Sequence, residues 1–93
     1  MASKFNGFMI VTMQRGFVWV GDVESDGKYV TIRNGNIIRR WGTTKGLGEL
    51  VNGPTENTIL DPGPKGVRVV TCLESAIIQA LDVDKEAWAG KLV

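Results

Sequence analysis

The sequence predicts an α+β domain: a small antiparallel β-sheet or partly open β-barrel with one short and one longer helix. Three observations predict it. Residues 8–41 are runs of β-branched and aromatic residues broken by glycine-bearing turn pairs; the apolar spacing turns helical after residue 43; and it does so again after residue 71. Ninety-three residues suffice for one domain and not two, so 1–93 reads as a single unit with an ordered core of about 8–88. With 43% hydrophobic and 23% charged residues the chain has the balance of a folded protein, and its 12 scattered glycines mark turns and not a linker.

Phe8–Met13 is continuously apolar, as a strand covered on both faces would be. After a turn at Gln14-Arg15-Gly16, alternation from Phe17 sets Phe17, Trp19 and Val23 on one face and Val18, Val20, Asp22 and Glu24 on the other. Ser25-Asp26-Gly27 marks a hairpin. Val30 and Ile32 then point inward and Tyr29, Thr31 and Arg33 outward. Asn34-Gly35 signals a second hairpin, with 36–41 returning as the last strand of a four-stranded meander. Leu47, Leu50 and Val51 have helical spacing, with Thr43 or Thr44 as a cap and a stop at Asn52-Gly53-Pro54. Residues 55–66 read as loop or irregular edge, and 66–71 as a further strand. Thr71 and Glu74 fit a capping box that opens a helix with Leu73, Ile77, Ala80 and Leu81 on one face. The tail 82–93, with Trp88, packs on the sheet or on a neighbouring subunit.

Composition excludes much familiar chemistry. With no histidine and one cysteine there is no Ser–His or Cys–His nucleophile pair and no soft-ligand zinc site, so a binding protein is expected, not an enzyme, with no cofactor or metal. Cys72 sits near a predicted helix start, where a thiolate is stabilised, yet an inert buried thiol is the alternative. Asp22 and Glu24 share a strand face and suit either a co-ligated cation or a solvated hairpin tip. The lone cysteine, the start without an apolar leader and the lack of a membrane-length run point to the cytoplasm. A net charge of +1 argues against general nucleic-acid binding, although seven Lys/Arg against four Asp/Glu in residues 1–50 favour an anion site in that half.

That site is expected at Arg39, Arg40, Trp41, Gly42, Thr43, Thr44, Lys45 and Gly46, with Tyr29 as a second stacking ring. Arginine forks grip phosphate, an indole stacks on a base, and a helix start offers free N–H groups. The other reading makes Trp41 core, lets Arg39 snorkel, and leaves Thr43 and Thr44 as simple caps.

The order Phe17-Val18-Trp19-Val20-Gly21, Arg39-Arg40-Trp41-Gly42, Leu47 and Leu50, a Val-rich strand and Thr71-x-x-Glu74 resembles a family of small phage and prophage proteins of unknown function over roughly residues 8–88. The stretch Thr43-Thr44-Lys45 departs from the small apolar residues expected there. In size and style such proteins are similar to anti-CBASS and anti-Thoeris sponges. That resemblance implies an oligomer, a dimer or tetramer in the host cytoplasm, which sequesters a cyclic dinucleotide immune signal without cleaving it. Arg39, Arg40 and Lys45 would meet phosphates, and Trp41 or Tyr29 a base. The rival expectations are an accessory protein acting through protein–protein contacts and a single-stranded nucleic-acid binder that stacks bases on Trp19, Tyr29 and Trp41.

Overall fold

A computed structural model describes residues 5–14, 17–44, 46–62 and 69–92. Its chain order is β1 (Asn6–Met13), β2 (Val18–Ser25), β3 (Tyr29–Arg40), a 3-10 helix (Leu47–Asn52), β4 (Ile59–Pro62), β5 (Val69–Leu73), a 3-10 turn (Glu74–Ala76), β6 (Ile77–Asp82) and α1 (Lys85–Trp88). The strands form one open antiparallel sheet in the order β4-β3-β2-β1-β6, with β5 also pairing with β3. The expected strand-dominated α+β character is therefore present, as two short helical segments on a six-stranded sheet.

Two expectations fail. The Asn34-Gly35 hairpin does not form, and β3 runs through it for 12 residues. A two-residue hairpin of the Asn-Gly kind needs positive φ at both positions, whereas here only Asn34 has it, at 54°. The β2–β3 register slips by one residue between Val20 and Asp22, so Asn34 and Gly35 together face Gly21 as a bulge. Bulge and hairpin use the same left-handed residue, and the long pairing of β3 with β2, β4 and β5 selects the bulge. The meander thus has three strands over 6–40 instead of four.

The longer helix after Thr71 is also absent. Thr71 lies inside β5, Leu73 is exposed, and Ile77–Asp82 is a strand paired with β1 from Met9↔Asp82 to Met13↔Ile77. A helix there would have left one side of β1 unpaired, a loss of several ladder hydrogen bonds that local helical spacing does not offset. The remaining outlines agree. The Ser25-Asp26-Gly27 turn joins β2 to β3, and the tail docks on its own sheet through Trp88, which is fully buried. The short helix at 47–52 is 3-10 and not α, and it stops at Gly53. The expected turn at 15–16, the loop at 63–65 and the strand start at 66–68 lie outside the described residues.

The sheet coils on itself. β5 and β6 sit on opposite edges, so in a flat sheet Leu73 and Ile77 would be four strand spacings apart, about 19 Å. Only Glu74–Ala76 joins them, and four extended steps reach at most about 14 Å. Bulges bend strands, and at the one formed by Gly21 opposite Asn34-Gly35 the two backbones approach so closely that a Cβ on Gly21 would lie 2.9 Å from the Arg33 carbonyl oxygen. Coiling encloses one core made by the inner face, with Met9, Val11, Met13, Trp19, Val23, Val30 and Ile32. The outer face carries a second core of Ile10, Val18, Val20 and Ile38, covered by Leu50 of the 3-10 helix and Trp88 of α1. The alternation read from β2 is borne out: Trp19 and Val23 enter the first core, Val18 and Val20 the second. Among the described residues no helix is long and apolar enough to cross a membrane.

Candidate functional site

The segment expected to bind begins where β3 leaves the sheet. Trp41 follows the last strand residue and stays 42% exposed, which removes the reading that it is core. It is held firmly by its backbone. The Thr58 hydroxyl donates to the Trp41 carbonyl at 2.6 Å, and the Thr55 hydroxyl donates to the Gly42 carbonyl at 2.7 Å. Those hydroxyls lie 3.1 Å apart in a turn whose own N–H groups donate to them, from Thr55 to Thr58 and from Asn57 to Thr55. Gly42 takes φ 66° and presses on this turn, where a Cβ would lie 2.2 Å from the Asn57 carbonyl carbon. Only glycine fits. Thr55 and Thr58, in the stretch the sequence reads as loop, hold the backbone of this segment. The Thr-x-x-Thr spacing after Gly53-Pro54, a familiar turn pattern, is the signal that carries them.

The cations differ in their surroundings. Arg39 Nε is 2.9 Å from the Asp61 carboxylate of β4, an exposed ion pair. Arg40 is exposed and has no partner among the described residues. Lys45 lies outside the described residues. Thr43 is half-buried, and neither it nor Thr44 caps the 3-10 helix, whose N-cap is Gly46 without a side-chain bond. Instead the Thr44 N–H donates to the Glu49 carboxylate at 3.1 Å. A carboxylate of the chain's own therefore occupies one donor that the expected anion site offered.

Tyr29 is not brought to this segment. It starts β3 while Arg40 ends it, on the far side of the bulge corner, and it pairs in register with Leu73. The Lys28 ammonium stands 5.4 Å from its ring centroid. Beside it the Asp26 carboxylate accepts from Tyr29 N–H at 2.8 Å and Lys28 N–H at 2.9 Å. These bonds hold the Asp26 carboxyl below its ordinary pKa. The Ser25 hydroxyl donates to Glu74, so the predicted capping-box acid ties the hairpin to the 3-10 turn instead.

Asp22 lies 3.3 Å from the Lys85 ammonium, and among the described residues no three potential ligands gather as a metal site. Cys72 lies half-buried in β5 against the inner core, where burial raises its pKa. Two clefts open elsewhere. One of about 380 Å³ lies at the hairpin end between Phe5, Lys28, Leu73 and Glu74. The other, of about 330 Å³, lies where α1 meets Phe8, Asp22 and Asn34. No sequence motif announces the second, since its residues come from four separate elements.

Compared with known protein families, curated proteins and solved structures, the chain matches none. Its function is read from its own residues.

Proposed function

We propose that this chain is a non-catalytic binding protein that captures a phosphate-bearing nucleotide, a cyclic dinucleotide signal in the fullest form of the reading, and releases it uncleaved. One observation carries it: an exposed indole, Trp41, whose carbonyl and that of Gly42 are each held by a threonine hydroxyl, stands directly beside Arg40, which has no partner among the described residues. A stacking residue anchored at its backbone loses less freedom on binding, and a guanidinium with no partner among the described residues is ready for phosphate. Arg39 supports the same field but is half spent on Asp61. Half-exposed Phe17 and Ile78 provide apolar area for assembly into a dimer or tetramer.

The test is thermal stability against a panel of cyclic di- and trinucleotides and ordinary nucleotides. A ligand at a hundred times its Kd adds about 2.7 kcal/mol, or roughly 10–20 °C for a chain of this size. Arg40→Ala and Trp41→Ala should each abolish the shift while leaving the unliganded Tm in place. A cleaved product, or the same shift in both variants, would refute the reading.

A second reading has its own observation. Ile78 is 67% exposed on β6, an edge strand that pairs only with β1 among the described strands. An open edge with an apolar side chain suits protein–protein contact. Ile78→Lys would then abolish association with the partner and leave nucleotide response untouched.

A further inference from the structure

Three asparagines in this chain precede a glycine: Asn6, Asn34 and Asn52. Such a pair holds both reacting groups of a covalent step. With no Cβ to obstruct it, the glycine nitrogen reaches the side-chain carbonyl carbon of the asparagine before it. The deprotonated nitrogen attacks that carbon, the amide nitrogen leaves as ammonia, and a five-membered succinimide closes. Water then opens the ring at either carbonyl, giving aspartate or isoaspartate. The step needs a glycine N–H released from its hydrogen bond and a backbone free to turn, and the fold grants these unequally.

Asn34 and Asn52 are both exposed, but their glycines are held. Gly35 is buried in the middle of β3, where a Cβ would lie 3.1 Å from the Trp19 ring and 3.1 Å from Ile32 Cγ2. The Gly53 N–H donates to the Leu50 carbonyl at 3.1 Å, and a Cβ on Gly53 would lie 3.1 Å from the Ala87 carbonyl oxygen. Asn6 differs. It opens β1, both it and Gly7 are exposed, and nothing lies within 4 Å of the place a Gly7 Cβ would take. The pairing of β1 with β6 begins only at Met9, so Asn6 and Gly7 are held on one side, by the last rungs of the β2 ladder at Glu24 and Val23. Rungs at a strand end open far more often than those in the centre of a sheet.

We propose that Asn6 is the site at which this protein deamidates, with Asn34 and Asn52 protected by the fold. The product changes the sheet locally. A carboxylate at position 6 stands directly across from Glu24, and like charges so placed weaken the pair. The isoaspartyl form also lengthens the backbone by one carbon and takes the residues before Gly7 out of register. The start of β1 therefore loosens after reaction, while the strand from Met9 onward stays paired on both sides. The site shares no residue with the Trp41–Arg40 platform and stands or falls apart from it.

The experiment ages the full-length protein at physiological temperature and mildly alkaline pH, digests samples over time, and follows by mass spectrometry the gain of one mass unit at each of the three asparagines. A parallel sample in urea gives the rate of each pair without the fold. In urea the three should react at similar rates. In the native protein Asn6 should run about tenfold or more ahead of the other two, because a frayed strand end opens more readily than a packed segment. Asn6→Gln should remove the early product and leave Tm unchanged. Asn34 or Asn52 reacting first, equal native rates at all three, or no product at Asn6 while the urea sample reacts would each overturn the assignment.

Discussion

Gly21→Ala tests whether the bulge corner sets the shape of the sheet. The added Cβ would sit 2.9 Å from the Arg33 carbonyl oxygen, 2.9 Å from Ile32 Cγ2 and 3.1 Å from Gly35 Cα. The isoleucine methyl could rotate away, but the oxygen and Cα belong to the β3 backbone, and relieving them means opening the corner. Overpacking of this kind destabilises by about 1–3 kcal/mol. For a domain of this size that lowers Tm by roughly 5–20 °C. Gly48→Ala is the matched control: it lies in the 3-10 helix with nothing within 4 Å of the new Cβ and no left-handed φ. There, reduced freedom of the unfolded chain should stabilise by about 0.4–1 kcal/mol. Urea unfolding of the two variants beside the wild type measures both. Equal midpoints for Gly21→Ala and wild type would mean that the sheet does not bend where the bulge lies.

Trp88→Phe keeps a ring in the outer core but removes one of two donors to the Leu50 carbonyl, which still accepts from the Gly53 N–H at 3.1 Å, so urea unfolding should show a loss of about 0.5–1.5 kcal/mol; an unchanged midpoint would contradict the role given to the indole N–H. Cys72 should react with thiol reagents more slowly than free cysteine at neutral pH, because burial disfavours its thiolate, and faster reaction of the folded protein would count against this. Asp26 has its pKa lowered by the Tyr29 and Lys28 N–H groups, so its contribution to stability is full above the ordinary carboxylate range and fades as pH falls through the folded value. Carboxyl NMR should place its midpoint below that of a free aspartate, and the stability gap between wild type and Asp26→Ala should close in acid.

Periodicity of two needs no distant partner, and where it governs, the residues spoke plainly. The inward set Trp19, Val23, Val30 and Ile32, the Asp26-Gly27 turn and the Gly53 stop were all legible. Trp41 suited either core or surface, but the cluster of charged and aromatic residues around it was legible, because it is a local pattern at a strand end. What that cluster would touch was not. Asp61 and Thr58 lie about 20 residues on in the chain, and their contacts with Arg39 and Trp41 exist only once β4 has paired with β3.

The sequence by itself determined a strand-rich fold, its alternating faces, its histidine-free chemistry and a cationic, aromatic strand end. Tertiary structure alone decided whether Asn34-Gly35 would turn or bulge, whether 77–82 would be helix or strand, and which side chains would meet across the α1 seam. Each of these was locally balanced: the left-handed residue serves both turns and bulges, and a short apolar stretch suits both periods. The balance was tipped by backbone hydrogen bonds between segments far apart in the chain, and those bonds have no trace in the local spacing of residues.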